Sequence, residues 1–288
     1  ITVANLAQIH LPSKVFTTAQ NPGLLRDAGS VEISTQSVAS RLPIQKLASI
    51  FSMFERYRER PFYGVINSNV PTVAAAMKKA RDIVQYFNKS TQATKKLKDM
   101  QHESSLPKYS GQPKNILQDV VTRWWSTYRM LKRLRFLREA ISHYFVDNPN
   151  EADTMTITAQ EWKIYYQIEV ALKTMGFWQR VLEGEKYVTG SLVPVAIYTI
   201  RQSFLQVIAS EATEDVVKVF TRILLNDFDQ RYHPTTQGQL KYEREALVGH
   251  GNRYISIHPY FFKAAFLDPC THHFLRNIME ADNFHEVC

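Results

Sequence analysis

Cysteine is nearly absent: Cys270 and Cys288 are the only two in 288 residues. That is too few for a disulfide framework or a four-thiolate zinc site, so the chain reads as one made for a reducing compartment. Its apolar stretches are too interrupted for a membrane span, which excludes an integral membrane protein and predicts a soluble one. Ile1 is not followed by the charged start, short apolar run and small-residue cleavage site of a secretory leader. The chain also lacks an initiating methionine and is read as an excerpt of a longer product. A repeat of 20 to 50 residues is missing too, as is any convincing run of alternating strand pattern.

What is present is an ordinary globular composition, 44% hydrophobic and 22% charged, too apolar for general disorder. Lysine and arginine outnumber aspartate and glutamate by 35 to 27, a net charge of +8 that favours an anionic partner without naming one. Residues 1–67 carry no clear period and are broken by Pro12, Pro22, Gly23, Gly29, Pro43, Pro61 and Gly64. They are expected to form an irregular arm with one short helix carrying Leu47, Ile50, Phe51, Phe54 and Tyr57.

The pattern changes in residues 68–288, which are assigned to a single helical domain. From Pro71, Val73, Met77, Ala80, Val84 and Phe87 line one face of an amphipathic helix. That helix is expected to continue to about residue 101 with a break at Ser90, before Pro107, Gly111 and Pro113 enforce a loop. Ser126 is placed as the N-cap of the next helix, whose apolar face holds Tyr128, Leu131, Leu134, Leu137, Ile141 and Tyr144. Asn148-Pro149-Asn150 ends it. Thr158 and Glu161 form a capping-box signal for a helix to about Leu182. Further helices are expected at 191–209, 213–231, 258–267 and 272–285. The fold class is therefore mainly α.

The most informative run is Asp119-Val-Val-Thr-Arg-Trp-Trp-Ser-Thr-Tyr-Arg-Met-Leu-Lys-Arg-Leu134. Two tryptophans stand beside Arg123 at the mouth of a basic helix, and a guanidinium can hold a phosphate while an indole stacks on a base. Arg129, Lys132 and Arg133 fall opposite the apolar face of that helix, and Lys78, Lys79, Lys95, Lys96 and Lys98 supply further cations on the helices before it. All are candidate phosphate contacts, weighed against solvated helix faces. For Trp124 and Trp125 the structural alternative is packing, with Trp125 the better candidate for it; Trp162 and Trp178 are read as core.

The same run closely resembles a signature of the hAT superfamily of DNA transposases. In that family Asp-x-x-Thr-Arg-Trp-(Asn/Trp)-Ser-Thr-Tyr-x-Met-Leu-x-Arg-Leu recurs in the helical region inserted into a ribonuclease-H-like catalytic core. The likeness extends to Lys79-Ala-Arg81-Asp-Ile-Val-Gln-Tyr-Phe-Asn-Lys-Ser90 with Lys95-Lys96-Leu97, to Leu182-Glu-Gly-Glu-Lys-Tyr-Val-Thr189 with Ser191 and Pro194, and to Ala264-Ala-Phe-Leu-Asp-Pro269. The resemblance implies a helical insertion domain, nuclear localisation, DNA as partner, and Arg123 and Trp124 at the transposon end, where the tryptophan stabilises a flipped base. For a complete family member it implies an acidic triad with magnesium or manganese, and other transposase subunits as partners.

Several family features are missing. No Cys-x-x-His lies upstream of the tryptophan-bearing run, no glutamate segment of the Ser-x-Ser-Glu-Arg kind is present, and Cys270 stands where arginine usually follows Leu-Asp-Pro. No catalytic residue, metal site or cofactor is therefore assigned. Asp119 with Asp268, and Cys270 with His272 and His273, are considered as metal ligands and set aside, and Gly184 is read as a helix end. The expected function is transposase-derived DNA binding without a complete triad. The rivals are a truncated view of an active transposase and a non-enzymatic, domesticated scaffold.

Overall fold

The computed structural model describes residues 70–120, 124–182, 189–232, 239–240, 259–279, 284 and 287, without the side chains of residues 124–125, 152–154 and 231. These residues all fall in one unit, Arg58–Cys288. The arm at 1–67 with its expected helix, Arg123, Gly184 and the side chains of Trp124 and Trp125 lie outside the described residues.

Ten α-helices are found among the described residues, and the one β feature is an isolated bridge between Leu240 and Met279. The helices are α1 (Pro71–Lys89), α2 (Thr91–Glu103), α3 (Trp124–Phe136), α4 (Arg138–Asp147), α5 (Pro149–Met155), α6 (Ala159–Leu182), α7 (Val193–Ala209), α8 (Asp215–Tyr232), α9 (Pro259–Leu267) and α10 (His272–Ile278). The mainly α expectation is met.

Helix α1 buries Val73, Ala76, Met77, Ala80, Ile83, Val84 and Phe87, the face its period marks. It stops at Ser90, whose extended backbone breaks the helix while its hydroxyl accepts from Ala93 N–H at 3.1 Å, so one residue ends α1 and caps α2.

Helix α6 is the axis of the bundle, with α1, α3, α7 and α8 packed around it. Its start is the expected capping box. Thr158 N–H donates to Glu161 Oε2 at 2.7 Å, and Glu161 N–H donates to Thr158 Oγ1 at 3.2 Å. Lys79 adds bonds of 2.9 and 3.1 Å to the same carboxylate, and Tyr165 donates to the Ala76 carbonyl at 2.7 Å, so α1 is tied to α6 twice.

Burial raises the Glu161 carboxyl, but the Thr158 and Lys79 hydrogen bonds outweigh it and hold the group below its ordinary 4.5. A lowered folded-state value stabilises the fold above the unfolded value, and this is lost as pH falls through the folded one. Glu161→Gln is therefore expected to lower the melting temperature at about pH 7, with a deficit that shrinks toward zero near about pH 3. An equal deficit at both pH values would contradict the assignment.

Helices α7 and α8 run antiparallel, held by Arg201 and Asp229 at 2.8 and 3.0 Å and by Phe204 edge-on to Phe228. Gly190–Ala209, which includes α7, is long and apolar enough to cross a membrane by composition. Here α7 is a core helix, covered by α6, α8, α9 and α10.

Three expectations need correcting, and one short helix, α5, is added. Helix α3 begins at Trp124 rather than at Ser126, whose hydroxyl serves the loop before the helix instead of capping it. The helix expected to run unbroken to residue 147 is interrupted at Leu137, where φ −90° and ψ 5° leave the helical region. Asn148-Pro149-Asn150 ends α4 at Asp147 as expected, but Pro149 also takes the first position of α5, a helix not among those expected, where a missing N–H costs nothing. Helix α10 ends at Ile278, not near 285, because the Ile278 carbonyl accepts from Leu240 N–H at 2.7 Å and Met279 turns extended. Trp162 is buried as expected, whereas Trp178 is half-buried.

Candidate nucleic-acid interface

Two hydroxyls and one carboxylate shape the approach to α3. Asp119 is fully buried and its Oδ2 receives Arg81 Nε from α1 at 2.9 Å and Thr127 Oγ1 from α3 at 3.3 Å. Ser126 accepts from Val120 N–H at 2.8 Å and donates to the Val120 carbonyl at 2.9 Å. The Asp, Ser and Thr of the tryptophan-bearing run thus fold the chain back onto the first turn of its own helix. Arg81, from the preceding resembling segment, joins them across 38 residues of sequence.

The loop before this turn is pinned as well. Gln101, buried on α2, accepts from Lys114 N–H at 2.8 Å and donates to the Lys114 and Leu97 carbonyls at 3.1 Å each. Arg133 reaches back from α3 to donate to the Asn115 carbonyl. Farther along, Tyr109 donates to the Phe136 carbonyl at 2.9 Å, and burial pushes its phenol up to about 12.

Helix α3 lies antiparallel on α6. Tyr128 meets Gly176, Arg135 meets Glu169 at 2.5 and 3.1 Å, and Arg138 stacks over Trp162 at 5.4 Å. The first turn of α3, where both tryptophans stand, is accordingly beside the last turns of α6. Gly176 permits the close approach: a Cβ there would lie 2.9 Å from the Tyr128 ring.

Between α3, the pinned loop and the end of α6 opens a cleft of about 570 Å³. Lys114, Arg129, Lys132, Arg133 and Arg180 line it, with Leu117, Tyr128, Phe136, Gly176 and Gln179 completing the wall. No carboxylate is among these residues. Five like charges in one concavity raise a strong positive potential and concentrate anions there. Burial, together with the like charge of Arg129, lowers the Arg133 guanidinium from its ordinary value. Its partner is a neutral carbonyl rather than a carboxylate. Lys132 leans on Tyr128, 3.5 Å from the hydroxyl and 5.7 Å from the ring centre, and Lys114 stands 5.9 Å from the Phe136 ring.

The structure divides the sequence candidates. Arg129, Lys132 and Arg133 converge on the cleft. Lys78 pairs with Asp82 at 2.7 Å on the exposed face of α1, and Lys79 is taken by Glu161. Lys95 is exposed on α2, Lys98 is half-buried, and Lys96 reaches Asn148 at 3.1 Å. These lysines do not line the cleft. Lys114 and Arg180 do, and neither stands out in sequence, being isolated cations in a loop and at a helix end.

The remaining acidic candidates are held structurally. Asp268 accepts from Ser191 Oγ at 2.5 Å and from Cys270 N–H at 2.9 Å, which joins the last two resembling segments across 77 residues. Cys270 is exposed, and the His272 ring packs edge-on against Phe266. Among the described residues no three histidine, cysteine, aspartate or glutamate side chains converge. With Asp119 engaged by Arg81 and Thr127, these residues do not fit the magnesium or manganese that the resemblance implies for a complete family member.

Comparison with known proteins agrees with the motif. Residues 62–170 match the model of the ZBED1 RNase-like helical domain. The chain is 28% identical over 128 residues to the putative AC transposase of Zea mays, covering 44% of this chain and 15% of that protein. It is 26% identical over 117 residues to zinc finger BED domain-containing protein 4 of Homo sapiens, covering 40% of this chain and 9% of that protein. The matched stretch is thus a small part of either relative. No solved structure matches the chain. Together with the tryptophan-bearing run and its helical setting, these matches support an hAT-type, transposase-derived character for residues 62–170.

Proposed function

We propose that this region binds DNA in the nucleus, gripping the phosphate backbone in the basic cleft, as the end-holding part of a transposition machinery. The cleft carries the reading: five cations line one concavity, and no carboxylate is among its described lining residues. Phosphate contacts of this kind position a duplex without reading its sequence. The first turn of α3 adjoins the cleft, and the family resemblance adds Arg123 on a phosphate and Trp124 on a distorted base. The proposal is one of binding. Strand cleavage is assigned to no residue of these helices, and other subunits of a transposase are its natural protein partners.

The experiment compares hairpin-tipped with flush duplex DNA, using wild type and Trp124→Ala across a salt series. The expected result is tighter binding to the hairpin tip, a preference lost in the variant, with steep salt dependence in both proteins. Weak, salt-insensitive binding by both would remove DNA as the partner and favour a protein scaffold.

A further inference from the structure

Beside the cleft stands a large aromatic that its walls do not use. Phe177 is 48% exposed. It directly follows Gly176 and precedes Arg180 by three positions, both of them cleft residues. Positions three apart on a helix are neighbours, about 60° apart around the axis. Exposed Lys173 lies one turn earlier along the same edge. Phe177 therefore sits on the rim between two cations. Its ring meets Trp178 edge-on, with centroids 5.3 Å apart and planes at 75°, a contact that orients the ring while about half of the residue stays exposed. Nearby Tyr166 differs, because Arg135 stands over its ring at 5.2 Å.

A cationic groove flanked by an open aromatic face is the arrangement that binds single-stranded nucleic acid, since every base has a π-face to stack. Bases inside a duplex are already stacked on each other. Away from the terminal pairs, only an unpaired nucleotide next to a phosphate held in the cleft has a face to offer Phe177.

We propose that Phe177 is a stacking platform for an unpaired base, making the cleft selective for the junction between duplex and single strand. This rests on the reading of the cleft as a phosphate site. Phe177 touches the base, the cleft cations hold the adjoining phosphates, and the platform is distinct from the tryptophans of α3.

The test measures affinity of the 288-residue chain for a blunt duplex and for the same duplex with a short unpaired tail, at one fixed salt concentration. Wild type is expected to prefer the tailed duplex by about 5- to 150-fold, the range of one base-aromatic stack. Phe177→Ala should abolish that preference and leave blunt binding unchanged, and Phe177→Trp should keep it. A wild type without tail preference, or a Phe177→Ala variant that retains it, overturns the inference and returns this face to protein contact. The cleft reading fails separately: Arg129, Lys132 and Arg133 replaced together by alanine would then leave blunt binding unchanged, whatever Phe177 does.

Discussion

Arg81→Ala is expected to destabilise the fold by about 3–5 kcal/mol, more than truncation of any exposed lysine, because it strands a buried charge. Asp119 has no exposed side-chain surface, and its Oδ1 has no hydrogen bond among the described residues. Its one charged partner there is Arg81, at 2.9 Å. Taking the guanidinium away leaves a carboxylate with the Thr127 hydroxyl alone at 3.3 Å. Replacing both partners by apolar residues of similar volume, Arg81→Met with Asp119→Leu, should recover most of the loss, since the desolvation cost then vanishes with the attraction. Urea denaturation of the single and double variants measures both. A single-variant loss below about 1 kcal/mol, or a double variant no better than the single, would mean that the pair is effectively solvated.

Replacing Arg129, Lys132 and Arg133 together by alanine is expected to leave the fold intact and cripple DNA binding. Arg129 and Lys132 are exposed, Arg133 is half-buried, and all three fall outside the apolar face of α3. At about 1 kcal/mol for each lost phosphate contact, affinity drops on the order of 100-fold. The dependence of log K on log salt should become shallower by about 3. Lys78, Lys95 and Lys96 replaced together remove the same formal charge from surfaces outside the cleft. That control should change affinity by less than about fivefold, because none of the three lines the cleft and Lys78 and Lys96 are already held by Asp82 and Asn148. Equal losses in the two triple variants would show that net charge, rather than the cleft, drives binding.

The helices were largely legible because amphipathic period is local information: Val73, Met77, Ala80, Val84 and Phe87 repeat at helical spacing and are all buried. Ser90 and the Thr158–Glu161 box were legible for a related reason, each being a cap whose partners lie within three residues. Pro149 marked the end of α4 correctly, but proline also starts helices, and the glutamate two residues on was the signal for α5 that went unread. Ser126 misled because a hydroxyl near a helix start reads as a cap until the fold supplies the Val120 backbone as its partner.

Tertiary relations were beyond a one-dimensional pattern. The resemblance marked Arg81 and Asp119 as parts of two separate segments, and the fold shows them to be one buried pair. Arg129, Lys132 and Arg133 announced themselves as a basic helix face. Lys114 and Arg180 did not, since an isolated cation becomes part of a site only once Gln101 pins its loop or α6 returns antiparallel to α3. Lys79 shows the reverse case: the sequence offers it as a phosphate contact, and the structure matches it to Glu161.

The central claim is that DNA phosphates enter the cleft between α3 and the end of α6. Titrating isotope-labelled protein with a short blunt duplex and following backbone amide shifts locates the contact directly. The account predicts the largest changes at Lys114, Asn115, Arg129, Lys132, Gly176 and Arg180, saturating together with one affinity. Changes centred on the exposed lysines of α1 and α2, with Gly176 and Arg180 unmoved, would contradict it.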